Sequence, residues 1–253
     1  MKLGLEGKRA VVLGASKGLG AAIAQTLAAE GAMVIGGART VEAIENLGKN
    51  IKGLPLDLAD PGSVQAFIQA VLADGGADIL INNSGGPAPG EAASLPAGDY
   101  ASAFASMVTP LIAITQALLP GMRARQWGRI ITLTSSGVEV PIPRLAISNA
   151  LRQSLVGWSK TLAGEIAADN VTANIIVQGR IHTSRVDELD AAAAKRTGKT
   201  LEEVRTQSLT QIPAGRYGRP EELADVVAFL ASDRASYITG SLVRVDGGML
   251  KSI

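Results

Sequence analysis

The stretch from Lys8 to Ala29, KRAVVLGASKGLGAAIAQTLAA, joins an apolar run, a turn holding three glycines and an alanine-rich amphipathic run. That succession predicts a buried strand, a phosphate loop and a helix. Gly14, Gly18 and Gly20 stand where a chain leaving a strand turns sharply, lets a pyrophosphate approach its backbone and packs the new helix on the sheet. Ser16, Lys17 and Leu19 fill the positions between. Free amides at the helix start, helped by the helix dipole, favour a doubly charged anion there. The turn therefore suits a dinucleotide, although its spacing is Gly-xxx-Gly-x-Gly and not the commoner Gly-x-Gly-xx-Gly. A tight turn that binds nothing is the alternative until other segments agree.

The rest of the chain narrows the choice. At 253 residues it suits one large α/β domain, and with 47% apolar but 3% aromatic residues its core is mainly Ala, Val, Ile and Leu. Lys plus Arg number 24 against 23 Asp plus Glu, so no bulk charge draws the protein to nucleic acid or an anionic membrane. A small-molecule partner is expected. The absence of cysteine excludes disulfides, thiolate catalysis and cysteine-bound metals, and a single histidine, His182, argues against a histidine metal site. No metal is expected. The N-terminal MKLGLEGKRAVVLG has no long apolar segment, and nowhere do 18 apolar residues run together, which predicts a soluble cytoplasmic protein.

Strands are predicted at Ala32–Gly37, Ile51–Asp57, Ala77–Asn82, Arg129–Thr134, Val171–Val177 and Leu242–Val245. Helices alternate with them at Val41–Gly48, Asp60–Ala73, Ala146–Ala168 and Pro220–Ser232. A long helix from Gly98 to Arg125 is expected to break at Pro110 and close near Pro120-Gly121. Thr183–Gln211 is polar and predicts one or two mobile helices over a site. The alternation implies a single-domain, doubly wound parallel sheet of about seven strands.

With these motifs in order, the chain resembles the short-chain dehydrogenase/reductase family over essentially its whole length. The resemblance is carried by Gly14 through Gly20, Asp57, Asn82-Asn83-Ser84-Gly85, Ser135, Ile181-x-Thr183, Gly218-Arg219-Pro220-Glu221-Glu222 and Asp246-Gly247-Gly248. It implies a Rossmann-type fold in which Asp57, with Leu58 beside it, meets the adenine region. Asn83, Ser84 and Gly85 would support the cofactor, and Gly179, Ile181 and Thr183 would hold its carboxamide and phosphates.

Charge bears on which cofactor. An adenosine ribose with free hydroxyls is usually met by a carboxylate after the second strand, but here that strand ends Gly37-Ala38-Arg39. Arg39 and Lys17 would flank a 2′-phosphate, so NADP (as NADPH) is expected.

The family's catalytic Asn, Ser, Tyr and Lys are only partly present. Counting from matching anchors, the serine is Ser135, the tyrosine position holds Ser148, the lysine position Arg152 and the asparagine position Met107. A serine hydroxyl is a far weaker acid than a phenol of pKa about 10. Arg152 keeps a charge and can grip ribose hydroxyls. This pattern resembles a divergent subgroup related to β-ketoacyl-carrier-protein reductases. Two functions follow: an NADP-dependent reductase of a carbonyl, 3-oxoacyl-thioester-like substrate with a non-standard proton donor, or a catalytically silent cofactor-binding protein acting as sensor or partner subunit. Ser148 through water, His182, Tyr217 and solvent are the candidate proton sources. The resemblance also implies a homotetramer or homodimer through the two long helices. Lys195, Arg196, Lys199 and Arg205 would be a solvated face or a contact for an acidic carrier protein or a CoA phosphate.

Overall fold

The computed structural model describes residues 2–252. Its sheet runs β3-β2-β1-β4-β5-β6-β7, every pairing parallel, with β1 at Arg9–Leu13, β2 at Met33–Ala38, β3 at Ile51–Pro55 and β4 at Ile79–Asn82. β5 is Gly128–Leu133, β6 Val171–Gln178 and β7 Leu242–Val245. β4 and β5 are buried along their whole length, as continuous apolar runs covered on both faces should be.

Two core layers flank the sheet. On one face α1 (Gly18–Ala29) and α9 (Pro220–Leu230) bury Ile23, Leu27, Leu223, Val227 and Leu230. On the other lie α3 (Pro61–Ala73), α5 (Thr109–Ala124) and α6 (Ala146–Ile166), with Phe67, Leu111, Ile114, Leu151 and Leu155 buried. The chain builds outward from β1 to β3 and then returns past β1 to β4. The connections after β1 and β4 therefore diverge and leave a crevice at the carboxyl ends of the strands.

The expected fold is present, with differences at boundaries. β3 stops two residues before Asp57, because the Asp57 carboxylate accepts the Ala59 amide at 3.0 Å and turns the chain. The long helix is two helices, α4 (Ala97–Met107) and α5, broken at Val108 with Pro110 in the first turn of α5. Its closure at Pro120 is corrected: α5 continues through Pro120 to Ala124. Pro120 and Gln116 both lie on the solvent face of α5, where the carbonyl that the missing proline amide frees costs little. The combined 28-residue run Ala97–Ala124 holds an 18-residue window of mean hydropathy 1.6, long and apolar enough to cross a membrane by composition. Here Leu111, Ile114, Leu118 and Met122 bury one face of it in the core. Two helices occupy the 183–211 stretch, α7 (Ser184–Thr197) and α8 (Leu201–Leu209), separated at Gly198, whose φ is +68°. The first short helix, α2, spans Val41–Glu45.

Gly20 shows how tightly α1 meets the sheet. A Cβ there would lie 2.2 Å from the Gly14 carbonyl oxygen, a backbone atom with nowhere to go. Gly20→Ala is expected to lower Tm by roughly 10 °C or more. A melt followed by circular dichroism checks this, and a Tm within about 2 °C of the parent's would refute so close an approach.

Candidate active site

One cleft of about 1910 Å³ gathers the loops at the carboxyl ends of β1 to β6. It is assembled by two residues at the reversal point. Gly14 adopts φ +65°, and Asn83 Nδ2 donates to the Leu13 carbonyl at 3.1 Å, joining the loops after β1 and β4. The first amides of α1 have no partner one turn back, and no side chain caps them. The Thr183 methyl group sits against Gly18, so the loop after β6 meets the glycine turn although 165 positions separate them in sequence.

Gly14, Ser16, Lys17, Gly18, Leu19, Arg39, Asp57, Leu58, Asn83, Ser84, Gly85, Gly179, Ile181 and Thr183 all line the cleft. Gly20 does not: it is buried under the turn and acts through packing. Lys17 and Arg39 are exposed and form no ion pair among the described residues. Ser84 Oγ and Gln178 Oε1 are buried at the cleft without any hydrogen-bond partner, an arrangement that calls for a ligand. Free amides, unpaired cations and orphaned polar atoms together fit a phosphorylated dinucleotide. The glycine motifs near the C-terminus hold this wall in place. The Gly179 amide donates to the Val245 carbonyl at 3.0 Å, a Cβ on Gly179 would lie 2.7 Å from Asp246 Cα, and Gly218 exchanges hydrogen bonds with Arg180 and His182.

Ser135, Ser148, Arg152 and Met107 line the same cleft. Ser135 Oγ accepts the Gly137 amide at 3.2 Å in a short 3-10 turn after β5. On α6, Arg152 Nε donates to Ser148 Oγ at 3.3 Å, one turn away. Its Nη1 donates to the Leu133 carbonyl at 3.2 Å, and its Nη2 to those of Ser84 and Gly85 at 3.5 and 3.4 Å. Arg152 is thus a buried cation held by carbonyl dipoles, with no carboxylate beside it among the described residues. Burial first, and the charge of Arg185 second, bring its pKa down to about 10. Met107 ends α4 buried and offers no hydrogen bond.

Two expected proton sources lie outside the cleft lining. Tyr217 donates its hydroxyl to Asp190 at 2.8 Å, and Arg180 donates to the same carboxylate at 2.5 Å. Burial raises the Tyr217 pKa, which further disfavours ionisation. This fully buried Asp190 ties α7 to the loops before and after it. His182 stands well exposed beside Asp187 at 3.5 Å. Among the distal cations, Arg205 pairs with Asp187 at 2.7 Å and Lys199 donates to Gln207 at 3.1 Å. No group of three or more potential metal ligands occurs among the described residues.

Sequence reasoning missed two residues of the cleft, Gln178 and Arg185. Gln178 is a polar side chain ending a strand whose other seven residues are all buried. Arg185 is a cation in the first turn of α7, where the helix dipole disfavours one. Both anomalies are visible in the sequence once the elements are known.

The family model described as enoyl-(acyl carrier protein) reductase matches residues 14–250. The 3-oxoacyl-[acyl-carrier-protein] reductase FabG of Vibrio cholerae serotype O1 is 37% identical over 252 residues, 98% of this chain and 99% of that one. Among solved structures, YwfH, an NADPH-dependent reductase involved in bacilysin biosynthesis, superposes with a TM-score of 0.93 at 29% identity, covering 98% of this chain and all of that one. L-Sorbose reductase from Gluconobacter frateurii, complexed with NADPH and L-sorbose, gives 0.92 at 34% identity with both chains fully covered.

Proposed function

Because the chain belongs to the short-chain dehydrogenase/reductase family of oxidoreductases, we propose that it is an NADP-dependent reductase of a carbonyl compound, of the 3-oxoacyl-thioester type, working without a tyrosine acid. The observation that carries this is the Arg152–Ser148 pair, placed in the cleft with Ser135. The glycine turn, Asn83, Ser84, Gln178, Ile181 and Thr183 would hold the dinucleotide, with Lys17 and Arg39 at its 2′-phosphate. NADPH bound there supplies hydride to the carbonyl carbon.

The chain's own residues handle the oxygen. Ser135 Oγ accepts from an amide and Ser148 Oγ from a guanidinium, so each hydroxyl hydrogen is left for the carbonyl oxygen. As that oxygen gains charge, Ser148 passes it a proton. The adjacent Arg152 cation stabilises the serine oxygen until solvent returns the proton. Helices α7 and α8 would shape the substrate end as an insertion within one domain. The outer faces of α4, α5 and α6 would pair copies into a dimer or tetramer.

A second function has an observation in its favour. Arg152 gives four of its five N–H donors to the chain's own atoms, as a purely structural arginine would. This is the cofactor-binding protein that performs no chemistry. Mixing the protein with NADPH and acetoacetyl thioesters or reactive diketones, with binding read by fluorescence and oxidation by absorbance, separates the two. Tight binding without oxidation across the carbonyl panel would overturn the reductase.

The pH dependence adds a check. Activity requires charged Arg152, so it is present below the depressed pKa and lost as pH rises through about 10. Single-turnover NADPH oxidation is expected to be flat between about pH 7 and pH 9 and to fall above. That alkaline limb should be absent from the residual activity of Arg152→Gln.

A further inference from the structure

The loop leaving β4 carries two guanidinium groups on one short run of chain. Arg152 Nη2 bonds the Gly85 carbonyl at 3.4 Å, and Arg185 Nη2 bonds the Pro87 carbonyl at 2.9 Å. Between them, a Cβ on Gly86 would lie 3.3 Å from Arg185 Nη2. Both side chains line the cleft. Their charges are close enough for Arg185 to lower the affinity of Arg152 for its proton.

Neither cation is well neutralised. Arg152 faces carbonyls, and the carboxylate beside Arg185 is Glu188 at 3.4 Å, an exposed neighbour one turn along the helix. A buried cation without an anion is costly, and a cation in the first turn of α7 opposes the helix dipole. An anion entering between the two relieves both costs. Donors remain to bind it: of five N–H groups each, Arg152 has one uncommitted and Arg185 three.

The geometry points to a carboxylate subsite formed by Arg185 with Arg152, which selects a substrate bearing a free carboxylate near its carbonyl, an oxo acid rather than a neutral ester. Arg185 is the specificity-determining residue, and Glu188 occupies the subsite when no substrate is bound. The inference rests on the carbonyl-reductase function and revises the group beside the carbonyl from a thioester to a free carboxylate.

Calorimetric titration of malonate and of malonamide into the protein saturated with NADP tests the subsite without turnover. The bound cofactor keeps its own phosphates in place, so malonate cannot report an emptied phosphate site. Malonate is expected to bind at least about tenfold more tightly than malonamide, a margin that Arg185→Gln removes and that the exposed Glu188→Gln widens. Equal binding of the two probes, or malonate affinity unchanged in Arg185→Gln, overturns the subsite.

Turnover provides the second arm. With NADPH, kcat/KM for acetoacetate should exceed that for methyl acetoacetate by about thirtyfold, and Arg185→Gln should collapse the ratio. An ester reduced as well as the acid overturns the subsite and leaves the reductase standing. Oxidation with neither, nor with acetoacetyl thioesters and diketones, alongside selective malonate binding, leaves the subsite standing and removes the reductase.

Discussion

Arg152→Gln is expected to lower kcat/KM for carbonyl reduction about a thousandfold, and Ser148→Ala by a comparable factor. The reason lies in the 3.3 Å hydrogen bond that makes the two residues one device. Ser148 alone is an alkyl hydroxyl with little tendency to give up a proton, and Arg152 alone reaches the carbonyl oxygen only through it. The double variant should therefore be little worse than either single one, as groups acting as a unit are strongly non-additive. NADPH affinity, measured by fluorescence, should change far less than turnover. Losses that multiply in the double variant would show that the residues act separately and would sink the relay. Arg152→Lys keeps a charge but cannot reach three carbonyls and a hydroxyl together, so it should recover only part of the rate.

The second large effect is expected at the other end of the cleft. Replacing Lys17 and Arg39 together by alanine should weaken NADPH binding by roughly a thousandfold and leave NADH binding nearly unchanged. Each cation is exposed and has no carboxylate partner among the described residues, so neither is committed to the fold. The loss should shrink as salt rises, because exposed charges are screened. Parallel titrations with the two cofactors decide the matter. Equal losses for NADPH and NADH would place the 2′-phosphate elsewhere.

The fold was legible because its signals are local and repeated. Glycine turns, buried apolar runs and proline-started helices recur along the chain at spacings that only an alternating parallel sheet accommodates. Pro120 misled because a proline reads as a helix end, whereas its side of α5 is wet and tolerates the lost hydrogen bond. The candidate site was legible where motifs are contiguous, as at Gly14 to Gly20. It was opaque where function depends on direction. Tyr217 and His182 are chemically able to move protons, but Asp190 captures one and solvent surrounds the other. Conversely, Arg185 reaches the cleft by crossing from α7 to Pro87, a contact between residues 98 positions apart. The Asp190 cluster was equally hidden, since an acidic residue within a polar helix ordinarily faces water.

The same crossings bear on the thermodynamics of ligand entry. Arg152 pins Ser84 and Gly85, Arg185 pins Pro87, and Asn83 is joined to Leu13, so the segment after β4 is fastened at successive positions by the chain itself. A wall already fastened surrenders little conformational entropy when a ligand arrives. Affinity in this cleft is then set by the contacts a ligand makes and the water it displaces. The molecule has met the cost of ordering that wall during folding.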